Sequence, residues 1–179
     1  MLTISQQFQK RALPLTNNHA LASNNVFGDL LSLKDRTYLV EHSSVRRVPT
    51  GETLCEQNKI EQVLYIILTG EVEIYEIIDN ENITLGVLQS GNLVGEIGAL
   101  FSIPRIATVT ATKTAVVLEI TSNNFLNLIN KTPRLYSAVY QRVYQRSLEA
   151  ALNSSPPFEP QYRQIQPELS RLLQHWNTH

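Results

Sequence analysis

In the stretch GEIGALFSIPRIATV, residues 95–109, one carboxylate, Glu96, and one guanidinium, Arg105, lie among small and apolar residues. Gly95 before the carboxylate allows a sharp turn or a close backbone approach to a ligand. The run Glu96–Leu100 is long enough for a single helical turn whose free N–H groups attract an anion. Arg105 is permanently charged and presents a flat fork of donors that fits phosphate oxygens. Pro104 stiffens the loop that carries it. Glu96 is an acceptor for hydroxyl groups. A molecule bearing one phosphate, with a sugar hydroxyl a few ångströms away, satisfies both side chains. Without such a molecule, an internal Glu–Arg pair satisfies them instead.

The surrounding elements have to hold these groups in place. Residues 26–41 carry apolar side chains at helical spacing (Leu30, Leu33, Tyr38, Leu39), with Ser32 as a candidate N-cap. The period then changes. The segments SSVRRV, TLCE, QVLYIIL, EVEIYEII, ITLGVL, ATVTAT and AVVLEI read as strands. Turns are predicted at 50–52, Thr69–Gly70, 79–82 and 89–92. Short strands divided by polar turns predict an antiparallel sandwich or barrel rather than alternating βαβ units. Helical spacing returns after Thr121, with Ser122 or Asn123 as candidate caps and Pro133 in a first helical turn. The segment from Pro133 to Leu152 has two neighbouring stripes. One is Tyr136, Tyr140, Tyr144, Leu148 and Leu152; the other is Leu135, Val139 and Val143. Three prolines in NSSPPFEP end this pattern, and a short amphipathic piece, PELSRLLQHW, follows.

The cassette resembles the phosphate-binding cassette of cyclic nucleotide-binding domains, the family of the catabolite activator protein and the regulatory subunits of cyclic-AMP-dependent protein kinase. The matching residues are Val94-Gly95-Glu96-Ile97-Gly98 and Pro104-Arg105-Ile106-Ala107. Upstream, GETLCEQ and VLYIILTGEVEIY match as well, and the resemblance spans roughly residues 26–150. It implies a mainly β fold: an eight-stranded, jelly-roll-like antiparallel β-roll flanked by an N-terminal helix and C-terminal helices. It implies that Arg105 pairs with the exocyclic phosphate oxygens and that Glu96 accepts the ribose 2′-hydroxyl. Backbone N–H groups near Gly95, Ile97 and Ala107 complete the cradle. Tyr136, Tyr140 or Tyr144 is expected to stack on the base. Ile106 stands where a hydroxyl residue often favours guanine, which points to cyclic AMP ahead of cyclic GMP. Glu61, in NKIEQ, lies near the acid usual in the loop before the long strand.

The implied function is a non-catalytic cyclic nucleotide sensor that signals through helix rearrangement. The alternatives are a ligand-free interaction scaffold on the same roll, or a pocket for another small anion. The organisation expected is an N-terminal extension (1–25), the nucleotide-binding domain (26–152), and a Pro-rich linker with a short helix (153–179). The 133–152 helix is expected to form a homodimer, and the C-terminal segment to meet a partner protein. Family members that bind DNA carry a winged helix-turn-helix after the long helix. Only 27 residues follow Leu152, so direct DNA binding is not expected.

Composition agrees with this reading. A net charge of −1 lacks the basic excess of a dedicated nucleic-acid binder. The apolar run VLYIIL is too short to span a bilayer, so no membrane role is expected. Cys55 is the one cysteine, which rules out an internal disulfide and fits a cytoplasmic location. His175 and His179 have metal-like spacing but no nearby cysteine, and His19 and His42 are isolated in sequence. No metal site, cofactor or catalytic nucleophile is expected.

Overall fold

A helix-breaking change of period at His42 divides a capped helix from a sheet. The computed structural model describes residues 30–153 and, beyond them, Pro167. Helix α1 (Leu33–Glu41) starts at Ser32, whose hydroxyl accepts from the Asp35 N–H while the Asp35 carboxylate accepts from the Ser32 N–H. This reciprocal capping box satisfies two of the orphan donors of the first turn.

Six strands follow: β1 (Ser43–Val48), β2 (Thr53–Cys55), β3 (Val63–Ile78), β4 (Glu81–Gln89), β5 (Leu93–Val94) and β6 (Thr108–Thr121). A short helix, α2 (Glu96–Phe101), lies between β5 and β6. Helices α3 (Ser122–Ile129) and α4 (Pro133–Asn153) close the described chain. All pairings are antiparallel, in the order β1-β6-β3-β4, with β2 on β6 and β5 on β3.

Four of the strands predicted from the sequence merge into two. The expected turn at Thr69–Gly70 is instead a bulged bend inside one 16-residue strand, and ATVTAT and AVVLEI run on as one 14-residue strand. The β3–β6 register slips at three steps between Ile67 and Val72. Bulges of this kind bend a strand without ending its ladder. Each long strand therefore serves both halves of the roll. Gly70 sits at the bend with φ +90°, and a Cβ there would lie 2.5 Å from the Ala115 Cα and the Thr114 carbonyl oxygen. The β3–β4 hairpin is also tighter than expected, with Asp79 and Asn80 both at positive φ as the two loop residues. At the other end of the sheet Thr121, not Ser122 or Asn123, caps α3, its hydroxyl accepting from the Asn124 N–H at 3.3 Å.

The apolar run of β3 is buried on both faces. Leu64, Ile66 and Leu68 pack with Leu118, Ile120 and the helices, against Leu39, Phe125, Ile129, Leu135 and Val139. Tyr65 and Ile67 point the other way, into the roll, with Val48, Leu54, Val72, Val109 and Val117. Helices on one side and a curled sheet on the other explain why VLYIIL is continuous rather than alternating. The predicted N-terminal extension and, apart from Pro167, the predicted C-terminal helix lie outside the described residues, as do His19, His175 and His179. His42 is exposed and stacks on Tyr38 at 4.0 Å.

Gly70→Ala is expected to destabilise the protein by about 2–4 kcal/mol, from left-handed strain plus backbone overlap. Gly86→Ala, where a Cβ meets nothing within 4 Å, is the control and is expected to stay within about 0.5 kcal/mol of wild type. Urea unfolding of the two variants measures both.

Candidate functional site

Arg105 is 2% exposed, the largest of the fully buried side chains. A buried guanidinium needs acceptors, and three protein groups supply them. Nε donates to Glu61 Oε2 at 3.1 Å, Nη1 to the Gly95 carbonyl and Nη2 to the Val63 carbonyl. The main chain fixes the same loop: the Arg105 N–H donates to the Lys59 carbonyl at 2.8 Å, and the Asn58 N–H to the Arg105 carbonyl at 2.9 Å. The segment before β3 thus holds Arg105 by backbone and by charge. A guanidinium has five N–H donors. Among the described residues three are taken, which leaves one on each terminal nitrogen.

The two glycines flanking Glu96 make room for this side chain. Gly95, at φ +76°, is the N-cap of α2, and a Cβ there would lie 2.6 Å from Arg105 Nη1. A Cβ on Gly98 would lie 3.2 Å from Arg105 Cδ. The need for glycine at these two positions comes from the arginine ten and seven positions later in the chain.

Glu96 and Arg105 do not pair with each other. Glu96, 3% exposed, binds Arg146 on α4, whose Nη1 donates to Glu96 Oε1 at 2.6 Å and to the Leu93 carbonyl at 2.8 Å. One helical turn earlier, Arg142 donates to Asn92 Oδ1 at 2.8 Å. Two arginines spaced i, i+4 therefore pin α4 to the segment that leads into α2.

Gly95, Glu96, Ile97, Gly98, Arg105, Ile106 and Ala107 all line one cavity of about 310 Å³. Its other walls come from Cys55, Val94 and Val109, from Ile74 on β3, from β4 at Leu85–Leu88, and from Arg146. Pro104 is half-buried beside Arg105 and is not part of the wall. The size is at the lower end for small-molecule sites. The walls are mostly apolar, with two guanidinium groups and one carboxylate converging on them. That chemistry suits a small organic anion carrying a hydroxyl.

Tyr136, Tyr140 and Tyr144 do not line the cavity. They pack, half-buried, against the helix-side core; Tyr136 and Tyr140 lie 4.4 Å apart, and Phe101 meets Tyr140 edge-on at 6.2 Å. In this arrangement none of the three is placed to cap a base. Leu135, Val139 and Val143 are fully buried in the same core, so α4 spends that stripe within its own subunit. Sequence reasoning missed Arg146 and the β4 wall. The only trace of Arg146 was its spacing from Arg142, which resembles an ordinary solvated helix face. Among the described residues no group of three His, Cys, Asp or Glu side chains is placed to hold a metal ion, and no helix is long and apolar enough to cross a membrane.

Burial pushes the Cys55 thiol up to about 12, against an opposing pull from Arg105. Burial likewise pushes Tyr65 up to about 12. Both groups hold their protons more tightly when folded, so the folded state binds more protons across this range. Stability is fully present below about pH 9 and falls as pH rises toward 12.

The comparisons with known proteins agree with the geometry. The sequence model of the cyclic nucleotide-binding domain matches residues 45–132. An ABC transporter ATP-binding protein of Mycobacterium tuberculosis, named as uncharacterized, is 35% identical over 86 residues, 48% of this chain and 26% of its own length. The chain thus spans about a quarter of that curated relative. The catabolite activator protein of Thermus thermophilus superposes with a TM-score of 0.63 at 24% identity, covering 71% of this chain and 60% of that one. The regulatory domain of Toxoplasma gondii PKA, crystallised with cAMP, gives 0.62 at 21% identity, covering 76% and 51%. At these identities the structures establish the shared β-roll. Residues 45–132 belong to the cyclic nucleotide-binding domain family.

Two outcomes are expected here. In alkaline titrations the melting temperature falls from about pH 9 upward, and Cys55→Ala makes that slope shallower. At pH 8 a thiol-disulfide reagent is expected to modify Cys55 far more slowly than a free thiol, because burial holds the thiol protonated there.

Proposed function

We propose that this chain is a cyclic nucleotide sensor without catalytic activity, and that its ligand is cyclic AMP. The observation that carries the reading is Arg105. It is buried and held on three sides by Glu61, Val63 and Gly95, and it still has two donors on a residue that lines the cavity. A preorganised guanidinium of this kind suits the two exocyclic oxygens of a cyclic phosphate. Glu96 engages Arg146 through Oε1, and a carboxylate has lone pairs on both oxygens. Its second oxygen suits a ribose hydroxyl. Ile106, on the cavity wall, offers no hydroxyl to a guanine, which favours adenine.

The proposed output is a shift in population between helix arrangements. Arg146 links Glu96 to α4, so a ligand that engages Glu96 biases how α4 docks, and only by its differential affinity for the two arrangements. A homodimer through α4, a partner reached by the C-terminal segment, a cytoplasmic location and the lack of direct DNA contact belong to the same proposal.

One observation favours a second reading, a ligand-free scaffold. Both charges of the cassette already have protein partners, Arg105 with Glu61 and Glu96 with Arg146. Calorimetry and melting curves with cyclic AMP and cyclic GMP decide between them. On the sensor reading cyclic AMP raises the melting midpoint, because a ligand that binds only the native state must do so. Arg105→Lys keeps the charge and loses the fork, and is expected to cost about 2–5 kcal/mol of binding. Unshifted melting with either nucleotide, or tight binding that survives the substitution, would overturn the reading.

A further inference from the structure

A second concavity lies on the opposite, helical side of the domain, where α1 meets the elbow between α3 and α4. Its floor is apolar: Leu31 and Leu128 are 3% and 4% exposed, and Tyr38 is half-buried beside them. Its rim is cationic. Lys34, Lys131 and Arg134 are exposed, and among the described residues none of them forms an ion pair. The carboxylate in the same wall, Asp35, is committed to Ser32, accepting from its N–H at 3.0 Å and its hydroxyl at 2.6 Å. The first turns of α1 and α4 open onto the groove and add to its positive potential.

We propose that this groove docks an acidic segment of a partner protein, one whose aliphatic or aromatic side chains reach the floor while its carboxylates meet the three cations. Charge complementarity selects this occupant. Residues 1–29 carry one acid, Asp29, against Lys10 and Arg11, and residues 154–179 carry Glu159 and Glu168 against Arg163 and Arg171. Neither outer segment of the chain has the acidic excess that the rim asks for. An anionic bilayer presents charge in a flat plane, whereas the apolar floor here is recessed between helices, within reach of inserted side chains. Amphipathic segments laid into grooves are recognised in this way, by apolar anchors with charge setting specificity and on-rate. The groove lies at the α3–α4 elbow, so an occupant there engages the helices without touching the cassette cavity.

The test uses the full chain and a fluorescein-labelled peptide, EELFEDLLE, with its amide counterpart QQLFQNLLQ as control. Anisotropy titrations are expected to show saturable binding of the acidic peptide, at least tenfold tighter than the control and weakened by added salt. The combined Lys34→Glu, Lys131→Glu and Arg134→Glu variant is expected to weaken it at least thirtyfold. Amide shifts in two-dimensional NMR are expected at residues 31–38 and 128–135. Equal binding of both peptides, absence of saturable binding, or shifts elsewhere overturns the proposal. Vesicles containing phosphatidylserine that bind in place of the peptide, or self-association lost on charge reversal, likewise overturn it by naming a different occupant. Melting with cyclic AMP on the same variant reads the nucleotide cavity separately. A peptide that binds where the nucleotide does not leaves this proposal standing and removes the sensor reading alone.

Discussion

A guanidinium shut away from water must find acceptors, and in this protein that requirement organises everything around the cavity. Arg105 draws in the Gly95 carbonyl, the Val63 carbonyl at the start of β3 and the Glu61 carboxylate just before it. Satisfying it fixes the loop that precedes β3 against the loop that precedes β6, since Lys59 and Asn58 also exchange backbone hydrogen bonds with Arg105. The same demand explains both glycines of the cassette, whose missing side chains are the space the arginine fills. A buried charge with partners is tolerated, while one stripped of a partner costs about 3–5 kcal/mol. The cassette is therefore a structural knot as well as a cavity wall.

Glu96 plays the complementary part. Because Arg146 holds it, the carboxylate is tied to a helix rather than to Arg105. One ion pair thus joins the cavity wall to α4, the element whose apolar stripe closes the core. Any molecule that alters the environment of Glu96 alters what α4 gains by docking, and the coupling is reciprocal by thermodynamic necessity. A single contact on the cavity wall is therefore also a contact that docks α4.

Much of this was legible beforehand. Ser32 as an N-cap, Pro133 in a first turn, the β character of 43–121 and the presence of Glu96 and Arg105 in one neighbourhood all follow from local rules of capping, period and residue chemistry. The misjudged features share a physical cause. Thr69–Gly70 has the composition of a turn, yet strand pairing with β6 on both sides carries the ladder through it as a bulge. Ser122 and Thr121 are equally good caps by type, and the point where the backbone leaves the extended conformation, after Thr121, selects Thr121. The tyrosine stripe has the chemistry to stack on a base, but the docking of α4 turns it toward Phe101 and the core.

Sequence by itself determined which groups were available: one forked cation, one acceptor, glycines where a backbone must come close, and strands with the right alternation. Those are properties of residue type and near-neighbour spacing, which the chain carries whatever its fold. Tertiary structure alone decided who meets whom. Glu61 reaches Arg105 across 44 positions, and Arg146 reaches Glu96 across 50. Contacts at that separation depend on how a curled sheet and four helices are brought together, and no local pattern encodes such a distance.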